Sequence, residues 1–322
     1  MSSAAIIIPC YNNQATVGAA IESALGQTTK NVEVIVIDDG SMDRSLEIIS
    51  RYEDRVTVIK QENSGACVAR NRGLEASKAA FVKFLDADDV LLPDCIRAQL
   101  ESSRNLDEST VVFGKGIWVD EAGRTIRNYP EGLKDGDELS VADLVEGSPL
   151  TSCPLHRRDL LLQVGGFNPN CPRGQEHDLH IRLGIRGVRF RYKQTDCYHY
   201  VQHSSNARVS KQRFKRDVLS AQLETYLCQW KSFQQSEAVI ADVAESHKAF
   251  ARHLWKLGRL AAASEFDDLA NMCFTHSDGI AQGRARGAIG SSIYLILART
   301  LGGVPAERIV RATKRVARMG RA

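Results

Sequence analysis

Four nearly continuous runs of apolar residues recur in the first part of the chain, and polar residues follow each run. The runs are AAIIIPC at 4–10, VEVIVID at 32–38, RVTVI at 55–59 and AFVKFL at 80–85. Strands of a parallel sheet are buried on both faces and therefore lack the polar–apolar alternation of half-exposed strands. The pattern predicts four buried strands.

The segments between these runs have the spacing of helices. In ATVGAAIESALGQ, Val17, Ile21 and Leu25 lie four apart on one face. Helices are also predicted for SMDRSLEIISRYED, for GACVARNRGLEAS and for the stretch that opens with VLLPDC at 90–95. Alternating strands and helices predict an α/β fold, with a mostly parallel sheet and helices on both faces.

The pattern changes after residue 115. GIWVDEAGRTI predicts a hairpin around 121–123, and RFRYKQTDCYHYVQH predicts an edge strand. From about 206 the apolar spacing predicts packed helices, with GRL at 258–260 as the turn of a helical hairpin. We therefore expect a domain over about 1–205, with halves of about 1–115 and 116–205, and a helical extension over 206–322.

Polar clusters follow the predicted strands, and they are PCYNN, DDGSMD, QENSG and DADD. Sheets of this type bind ligands at the carboxyl ends of their strands, so these clusters predict one site at one edge. In the second cluster we expect Asp38 to hold the turn, which leaves Asp39 for a ligand.

Composition narrows the class of protein. The 322 residues are 43% hydrophobic and 25% charged, as in ordinary globular proteins. No apolar run approaches the roughly 18 residues needed to span a bilayer, and MSSAAIII lacks the basic segment of a signal peptide. The eight cysteines include no CxxC pair, which favours reduced thiols over disulfides or a zinc site. We expect a cytoplasmic protein.

Positive charge is concentrated at the end of the chain. From residue 281 onward there are nine Arg or Lys and one Glu, whereas the whole chain has a net charge of +3. Tyr294 is the only aromatic residue in this segment, so base stacking is not indicated and no nucleic acid partner is expected. Two interpretations remain for residues 281–322: a helix packed on the protein, and peripheral contact with an anionic membrane at its inner face.

The DADD cluster contains the most specific chemistry. Asp86 and Asp88 would place two carboxylates in one loop, where they can share a divalent cation. An EF-hand is excluded, because its sixth and twelfth positions would be Leu91 and Arg97 instead of Gly and Glu. The alternative is a solvated acidic turn that caps a helix beginning near Val90.

Several motifs, in a fixed order, resemble the family 2 glycosyltransferases. They are IIIPCYN, VIVIDDGSMD, NSGACVARNRGLEAS, FLDADD, GGFNP at 165–169, QEHDLHIRL at 175–183 and HSSNAR at 203–208. The resemblance implies a Rossmann-like, A-type nucleotide-sugar-binding fold. It also implies an inverting enzyme that moves a sugar from a nucleotide diphosphate donor, in particular a UDP-sugar, to a glycan or lipid-linked acceptor. Such enzymes act in cell-surface glycan or polysaccharide synthesis.

The resemblance also implies a donor site. Tyr11 would stack on a uracil-type base, and Asp39 would accept its N3–H. Arg70 would bind the diphosphate as a fork, while Asp86 would reach the ribose or a metal-bound water. Three further residues of the matching segments are assigned to the nucleotide sugar: Pro9, Gly65 and Ala87.

A metal ion and a general base follow from the same resemblance. The ion would be Mn²⁺ or Mg²⁺, with Asp88 and His203 as ligands, and it would neutralise charge on the departing diphosphate. The Glu-Asp pair usual in this family is Gln175-Glu176 here. Glu176 is therefore assigned as the base for the acceptor hydroxyl. Asp178 is assigned as a carboxylate that supports the helix, and as the second candidate for the base.

Two alternatives are weighed against this prediction. A sugar nucleotidyltransferase would need a Gly-rich basic loop after the first strand, which PCYNNQATVG lacks. A nucleotide-sugar-binding module without catalysis is kept open by the change from Glu-Asp to Gln-Glu.

Overall fold

A computed structural model describes residues 4–120, 122–171, 173–202, 215–236, 240, 242–281 and 302–309. Its strands are β1 (Ala4–Cys10), β2 (Val32–Asp38), β3 (Thr57–Lys60), β4 (Phe81–Phe84), β5 (Asp89–Leu91), β6 (Thr110–Asp120), β7 (Thr125–Tyr129), β8 (Glu138–Leu139), β9 (Pro154–Arg157) and β10 (Arg189–Gln202). Its helices are α1 (Val17–Leu25), α2 (Ser45–Ser50), α3 (Ala66–Ala76), α4 (Cys95–Ser103), α5 (Val141–Glu146), α6 (Arg158–Gln163), α7 (Gln175–Ile185), α8 (Arg216–Ser236), α9 (Val243–Ala263) and α10 (Asp267–Ala281).

The strands form one mixed sheet in the order β3-β2-β1-β4-β9-β6-β10-β5, with β7 paired to β6 and β8 paired to β10. Strands β1 to β4 pair in parallel with one another, and β6 pairs in parallel with β10. Strand β9 joins these two groups because it runs antiparallel to both β4 and β6. The predicted α/β fold is confirmed.

Helices cover both faces of the sheet at its centre. Gly73 of α3 lies against Ile7 of β1, which is opposite Phe84 in the sheet register. Lys83 precedes Phe84 and therefore projects from the other face. There its buried ammonium donates to Gln99 of α4 at 2.8 Å. The site residues that follow β1 and β4 thus extend from strands that are fixed on both sides.

The chain divides into two compact units. The first unit, which contains the sheet, comprises residues 1–140, 148–169 and 174–204. The second unit comprises residues 141–147, 170–173 and 205–322. Helix α5 therefore belongs to the second unit, although the chain passes through the first unit on either side of it.

The described part of the second unit is helical. Helix α5 buries one apolar face, formed by Val141, Ala142, Leu144 and Val145, and it packs against α9. At the end of α5, Glu146 forms ion pairs with Arg252 and with Lys256. Helices α9 and α10 pack together as a hairpin. The predicted helical hairpin is confirmed.

The predicted turn of that hairpin was wrong. GRL lies inside α9, and the chain turns at 264–266 instead. A Cβ on Gly258 would lie 2.8 Å from Cε1 of Phe274, so this glycine serves the close approach of the two helices. A glycine inside a helix and a glycine in a turn give the same signal in sequence.

Two predictions near the DADD cluster were also wrong. Strand β10 is not an edge strand, because it pairs with β6 on one side and with β5 and β8 on the other. No helix begins near Val90, since residues 89–91 form β5 and α4 begins at Cys95. Alternation reports which faces of a strand are buried, but it does not report whether its edges are paired.

Part of the basic segment is described. Residues 303–309 are helical, and the buried Glu307 pairs with Arg259 of α9 at 2.7 Å. Arg308 pairs with Asp267. Residues 282–301 and 310–322 lie outside the described part of the chain. Among the helices that are described, none is both long enough and apolar enough to cross a membrane.

The packing of α3 gives a first prediction. In Gly73→Ala the new Cβ would lie 2.4 Å from Ile7 Cγ2 and 2.8 Å from Ile37 Cδ1. Overpacking of this kind costs about 1–3 kcal/mol, which outweighs the gain of about 1 kcal/mol in helix propensity. We expect a lower free energy of unfolding in urea titrations.

Gly18→Ala is the matched control. There a Cβ would meet its nearest neighbour, Ile48 Cγ2, at 3.6 Å, which is ordinary van der Waals contact. We expect the stability of this variant to be unchanged or higher. A stable Gly73→Ala protein would mean that the contact between α3 and the sheet is looser than described.

Candidate active site

The carboxyl ends of β1, β2 and β4 meet at one edge of the sheet. The N–H of Asp39 donates to the carbonyl of Cys10 at 2.8 Å, and the N–H of Leu85 donates to the carbonyl of Ile7 at 3.0 Å. Tyr11, Asp39 and Asp86 therefore follow three adjacent strands, as predicted from the order of the polar clusters. Tyr11 is 41% exposed, so its ring is open to a ligand.

The loops after β1 and β2 are joined by hydrogen bonds that the sequence analysis did not anticipate. Asn12 accepts from the N–H of Met42 at 2.8 Å, and Gln14 accepts from the N–H of Arg44 at 3.0 Å. In return, the backbone of the first loop donates to Ser41, Asp43 and Ser45. Amide side chains are suited to this, because their carbonyl oxygens accept from backbone N–H groups. The two loops hold each other in place.

Asp39 fastens the loop after β3 to the loop after β2. Its Oδ1 accepts from Gln61 Nε2 at 2.7 Å and from the N–H of Ser64 at 2.9 Å, and its Oδ2 accepts from the N–H of Gly65 at 2.9 Å. Gly40 has φ +74, and a Cβ there would lie 2.8 Å from the backbone nitrogen of Asn63. The two loops thus touch through their backbones.

The division of labour expected for the two aspartates is therefore reversed. Asp39, and not Asp38, has the hydrogen bonds that hold the turns. The carboxylate of Asp38 is also buried, and its Oδ1 has no hydrogen-bond partner in the described part of the chain. A binding role for Asp39 stays a prediction, and a ligand there would share a carboxylate that is already bonded.

The DADD residues form a tight turn between β4 and β5. The carbonyl of Asp86 accepts from the N–H of Asp89 at 3.0 Å. Ala87 and Asp89 are buried, whereas Asp86 and Asp88 are partly exposed at the edge of the sheet. Ser152 donates to Asp89 at 3.4 Å. The turn therefore buries Asp89 and leaves Asp86 and Asp88 partly exposed.

Arg70 supplies the positive charge that this acidic turn needs. Its side chain is buried, and Nη2 lies 2.7 Å from Asp86 Oδ1. Nη1 donates to Gln175 Oε1 at 2.8 Å. Burial alone would lower the pKa of Arg70, but the nearby charges of Asp86 and Glu176 raise it above its ordinary value. Both terminal nitrogens are thus bonded to protein, and the predicted diphosphate contact of Arg70 stays a prediction.

Helix α7 carries the residues predicted for the base. Glu176 is partly exposed in its first turn. Its charge raises the pKa of Tyr129, which reaches about 12 mainly because of burial. Asp178 is buried and pairs with Arg182, with Nε and Oδ2 2.8 Å apart. Arg182 in turn donates to the carbonyls of Val164 and Gly166. Asp178 is thus engaged in holding α7, while Glu176 is placed near Arg70.

Asn71 is a positioning residue that the sequence analysis missed. Its side-chain amide forms two hydrogen bonds of 2.8 Å with the backbone of Phe167, one to the carbonyl and one from the N–H. A Cβ on Gly166 would lie 2.4 Å from Asn71 Oδ1. The motifs ARN and GGF therefore dock directly against each other. The sequence contained both motifs but no sign that they touch.

A buried histidine pair between α7 and β9 was also missed. His180 Nδ1 lies 2.7 Å from Ser148 Oγ, and its Nε2 lies 3.1 Å from His156 Nε2. Burial lowers the pKa of His156 to about 3, and the charge of Lys83 acts in the same direction. Burial and the neighbouring His156 hold the pKa of His180 well below its ordinary value. Both rings are neutral near pH 7 and connect α7 to β9.

The donor set for a metal is incomplete in the described residues. These residues contain no group of three or more His, Cys, Asp or Glu side chains that would hold an ion. His203, which was predicted as a ligand together with Asp88, lies outside them. Asp86 and Asp88 nevertheless suit Mg²⁺ or Mn²⁺, because these ions take one or two carboxylates and complete their shell with phosphate oxygens and water.

Sequence comparison places the chain near enzymes that transfer sugars. Residues 5–158 match the family described as Glycosyl transferase family 2. An uncharacterized glycosyltransferase of Rickettsia typhi is 38% identical over 234 residues, which cover 71% of this chain and 70% of that protein. Chondroitin synthase of Escherichia coli is 28% identical over 210 residues, which cover 64% of this chain and 30% of the synthase. Several other relatives are matched over about a third of their length or less.

Structural comparison gives the same fold. Residues 1–349 of S. aureus TarS, crystallised in complex with UDP-GlcNAc, superpose with a TM-score of 0.73. The superposition covers 98% of this chain and 92% of that one, at 17% sequence identity. The helical part of this chain is therefore included in the likeness.

The histidine pair gives a second prediction. Below about pH 6.5 the unfolded chain binds a proton on each of the two rings, whereas both rings stay neutral in the folded protein. Stability present above pH 6.5 should therefore be lost as the pH falls, by about 1.4 kcal/mol per pH unit for each ring. His156→Asn should be less stable than wild type at pH 7, and the difference should shrink by about 2 kcal/mol at pH 5.

Urea titrations at pH 7, 6 and 5 measure this difference. His276→Asn, which changes an exposed residue of α10, is the control and should follow the wild-type pH dependence. A gap between His156→Asn and wild type that stays constant with pH would show that folding does not lower the pKa of His156.

Proposed function

The chain belongs to glycosyl transferase family 2, and we propose that it moves a sugar from a UDP-sugar to an acceptor hydroxyl with inversion at the anomeric carbon. The observation that supports this most is the bridge made by Arg70. It joins Asp86 of the DADD turn to Gln175, the neighbour of Glu176. The candidate metal turn and the candidate base are thus held on either side of one buried cation.

The donor is proposed to lie along the edge formed by β1, β2 and β4. Tyr11 would stack on the uracil ring, and Asp39, with Pro9 and Gly65 beside it, would face the base. UDP is preferred because the S. aureus TarS crystal contains UDP-GlcNAc in the same fold. Ala87 lies between Asp86 and Asp88, and its small buried side chain supports a turn that leaves room for the sugar.

Mn²⁺ or Mg²⁺ is proposed as the cofactor, held by Asp88 with His203, while Asp86 stays beside Arg70. When bound, the ion would supply positive charge to the diphosphate as it leaves. The protein supplies a preorganised acidic turn. Arg70 already partly offsets the repulsion between the carboxylates of this turn, so the protein tolerates them without the ion.

Glu176 is proposed as the general base. Its carboxylate would take the proton of the acceptor hydroxyl as that oxygen forms a bond to the anomeric carbon. The bond from the anomeric carbon to the diphosphate oxygen breaks at the same time, and the electron pair leaves with UDP. Asp178 is unsuited to this role, because its carboxylate is buried and paired with Arg182.

The acceptor is proposed to be a glycan or a lipid-linked glycan in polysaccharide synthesis, as the similarity to chondroitin synthase favours. We also retain the proposal that the basic residues 281–322 contact an anionic membrane surface, where each nearby cation contributes roughly 1 kcal/mol. Among the described part of this segment, Arg308 is already paired with Asp267. The remaining basic residues would therefore have to provide most of that contact.

The metal proposal predicts the behaviour of Asp88→Asn. This variant should lose the part of UDP binding that depends on Mn²⁺, because a carboxylate ligand is removed. Its thermal stability without ligand should be equal or higher, because like-charge repulsion in the turn is relieved. Calorimetric titration of UDP, with and without Mn²⁺, measures the first effect. Asp54→Asn, an exposed site away from the turn, should behave as wild type. Unchanged Mn²⁺-dependent binding in Asp88→Asn would refute the metal assignment.

The base proposal predicts a contrast between two neighbours. Glu176→Gln should keep UDP and Mn²⁺ binding but lose about 10²–10⁴-fold in turnover, since that is what general-base assistance contributes. Asp178→Asn should mainly lower the free energy of unfolding, because the buried ion pair with Arg182 is broken.

UDP release from UDP-GlcNAc with water as the acceptor is the initial assay, followed by sugar transfer with an acceptor oligosaccharide. If Asp178→Asn abolished turnover at normal stability while Glu176→Gln stayed active, the base would be Asp178. A wild-type protein that binds UDP with Mn²⁺ but never releases it from any UDP-sugar would instead support a binding module.

A further inference from the structure

Four side chains lie in one row across the antiparallel and parallel strands next to the DADD turn. Arg127 of β7 is opposite Trp118 of β6, Trp118 is opposite Tyr200 of β10, and Tyr200 is opposite Asp89 of β5. Paired residues on neighbouring strands project to the same face of a sheet. The row therefore begins at the DADD turn and ends at an exposed hairpin.

The middle of this row is a closed stack. The Arg127 guanidinium lies over the Trp118 ring, with its central carbon 3.8 Å from the ring centroid. Tyr200 stacks on Trp118 with the centroids 4.3 Å apart and the planes 26° from parallel. The indole Nε1 is buried and has no hydrogen-bond partner in the described part of the chain. Both faces of the Trp118 ring are therefore in contact with neighbouring side chains.

Arg127 differs from the other cations of this region. It is exposed, and the described residues give it neither a hydrogen bond nor an ion pair. Its neighbour in the hairpin, Arg124, is by contrast paired with Asp120 at 2.7 Å. Stacking fixes the plane of the Arg127 guanidinium but leaves the N–H groups at its edge free. These groups match the paired oxygens of a carboxylate or a phosphate.

The row lies on the face of the candidate active site. Two positions away along each strand, Tyr129 and Tyr198 flank Gly116 on that same face. Tyr129 feels the charge of Glu176, and Tyr198 feels the charges of Asp89 and Asp86. Two residues along a strand correspond to about 7 Å. Arg127 therefore lies about 7 Å along β7 from Tyr129, a residue close enough to Glu176 to feel its charge.

We propose that Arg127, stacked on Trp118 and Tyr200, is a subsite for an anionic sugar unit of the acceptor. The carboxylate of a uronic acid or the phosphate of a sugar phosphate would accept two hydrogen bonds from Arg127. The ring of that unit or of its neighbour would contact Tyr200, which is partly exposed. The role as an acceptor subsite rests on the proposed glycosyl transfer, but the binding of an anionic glycan does not need catalysis.

Direct binding to the full chain tests this. The probes are a hyaluronan tetrasaccharide, a glycerol phosphate oligomer and the neutral chitotetraose, each titrated calorimetrically. At least one anionic probe should bind, and chitotetraose should bind roughly tenfold more weakly or not at all. Arg127→Ala should weaken the anionic probe by about tenfold or more, because charge-assisted hydrogen bonds are lost. Arg127→Lys should recover only part of this, since an ammonium cannot form the flat, two-pronged contact.

Arg124→Ala is the matched control, because it removes the same charge from the same hairpin and should leave affinity unchanged. The relative affinities of the two anionic probes decide between carboxylate and phosphate. Equal losses in Arg124→Ala and Arg127→Ala would mean unspecific attraction and would overturn the proposal, as would no binding of either anionic probe at millimolar concentration. Titration of UDP and Mn²⁺ into the same variants should be normal. If UDP fails to bind while the Arg127-dependent binding persists, the proposed function fails and the subsite stands.

Discussion

The buried guanidinium of Arg70 is the interaction on which the candidate site depends. A cation taken out of water needs both opposite charge and hydrogen bonds, and here Asp86 and Gln175 supply them from opposite halves of the first unit. The ring of Phe167 lies beneath it, with its centroid 5.1 Å from the central carbon of the guanidinium. Removing either partner would leave a buried charge only partly satisfied, so the acidic turn and α7 are bound into one arrangement before any ligand arrives.

The edge of the sheet is built in a different way. There the loops are fixed by amide and carboxylate side chains that bond to backbone groups of neighbouring loops, as with Asn12, Gln14 and Asp39. Such bonds fix the path of the chain and are indifferent to the identity of the side chains between them. The side chains of Tyr11 and Met42 are exposed within this frame. This edge of the sheet can therefore vary in sequence without changing shape, whereas the Arg70 bridge cannot.

The sequence predicted those parts of the fold whose signals are local. The buried strands β1, β2 and β4 are nearly continuous apolar runs, and α1 and α3 repeat apolar residues at helical spacing, so each was recognised. Strand β5 was missed because three residues are too few to show a period. The contacts of Arg70 with Gln175 and of Asn71 with Phe167 were missed for another reason, since each joins positions about a hundred residues apart. The stack of Trp118 on Arg127 depends on strand register, which no single motif encodes.

Helix α5 connects the two units along the chain. Its apolar face is covered by α9, yet the chain enters and leaves it from the unit that contains the sheet. A chain cut before α9 would keep α5 but lose the helix that covers Leu144 and Val145. An uncovered apolar helix face of this kind favours association with other chains.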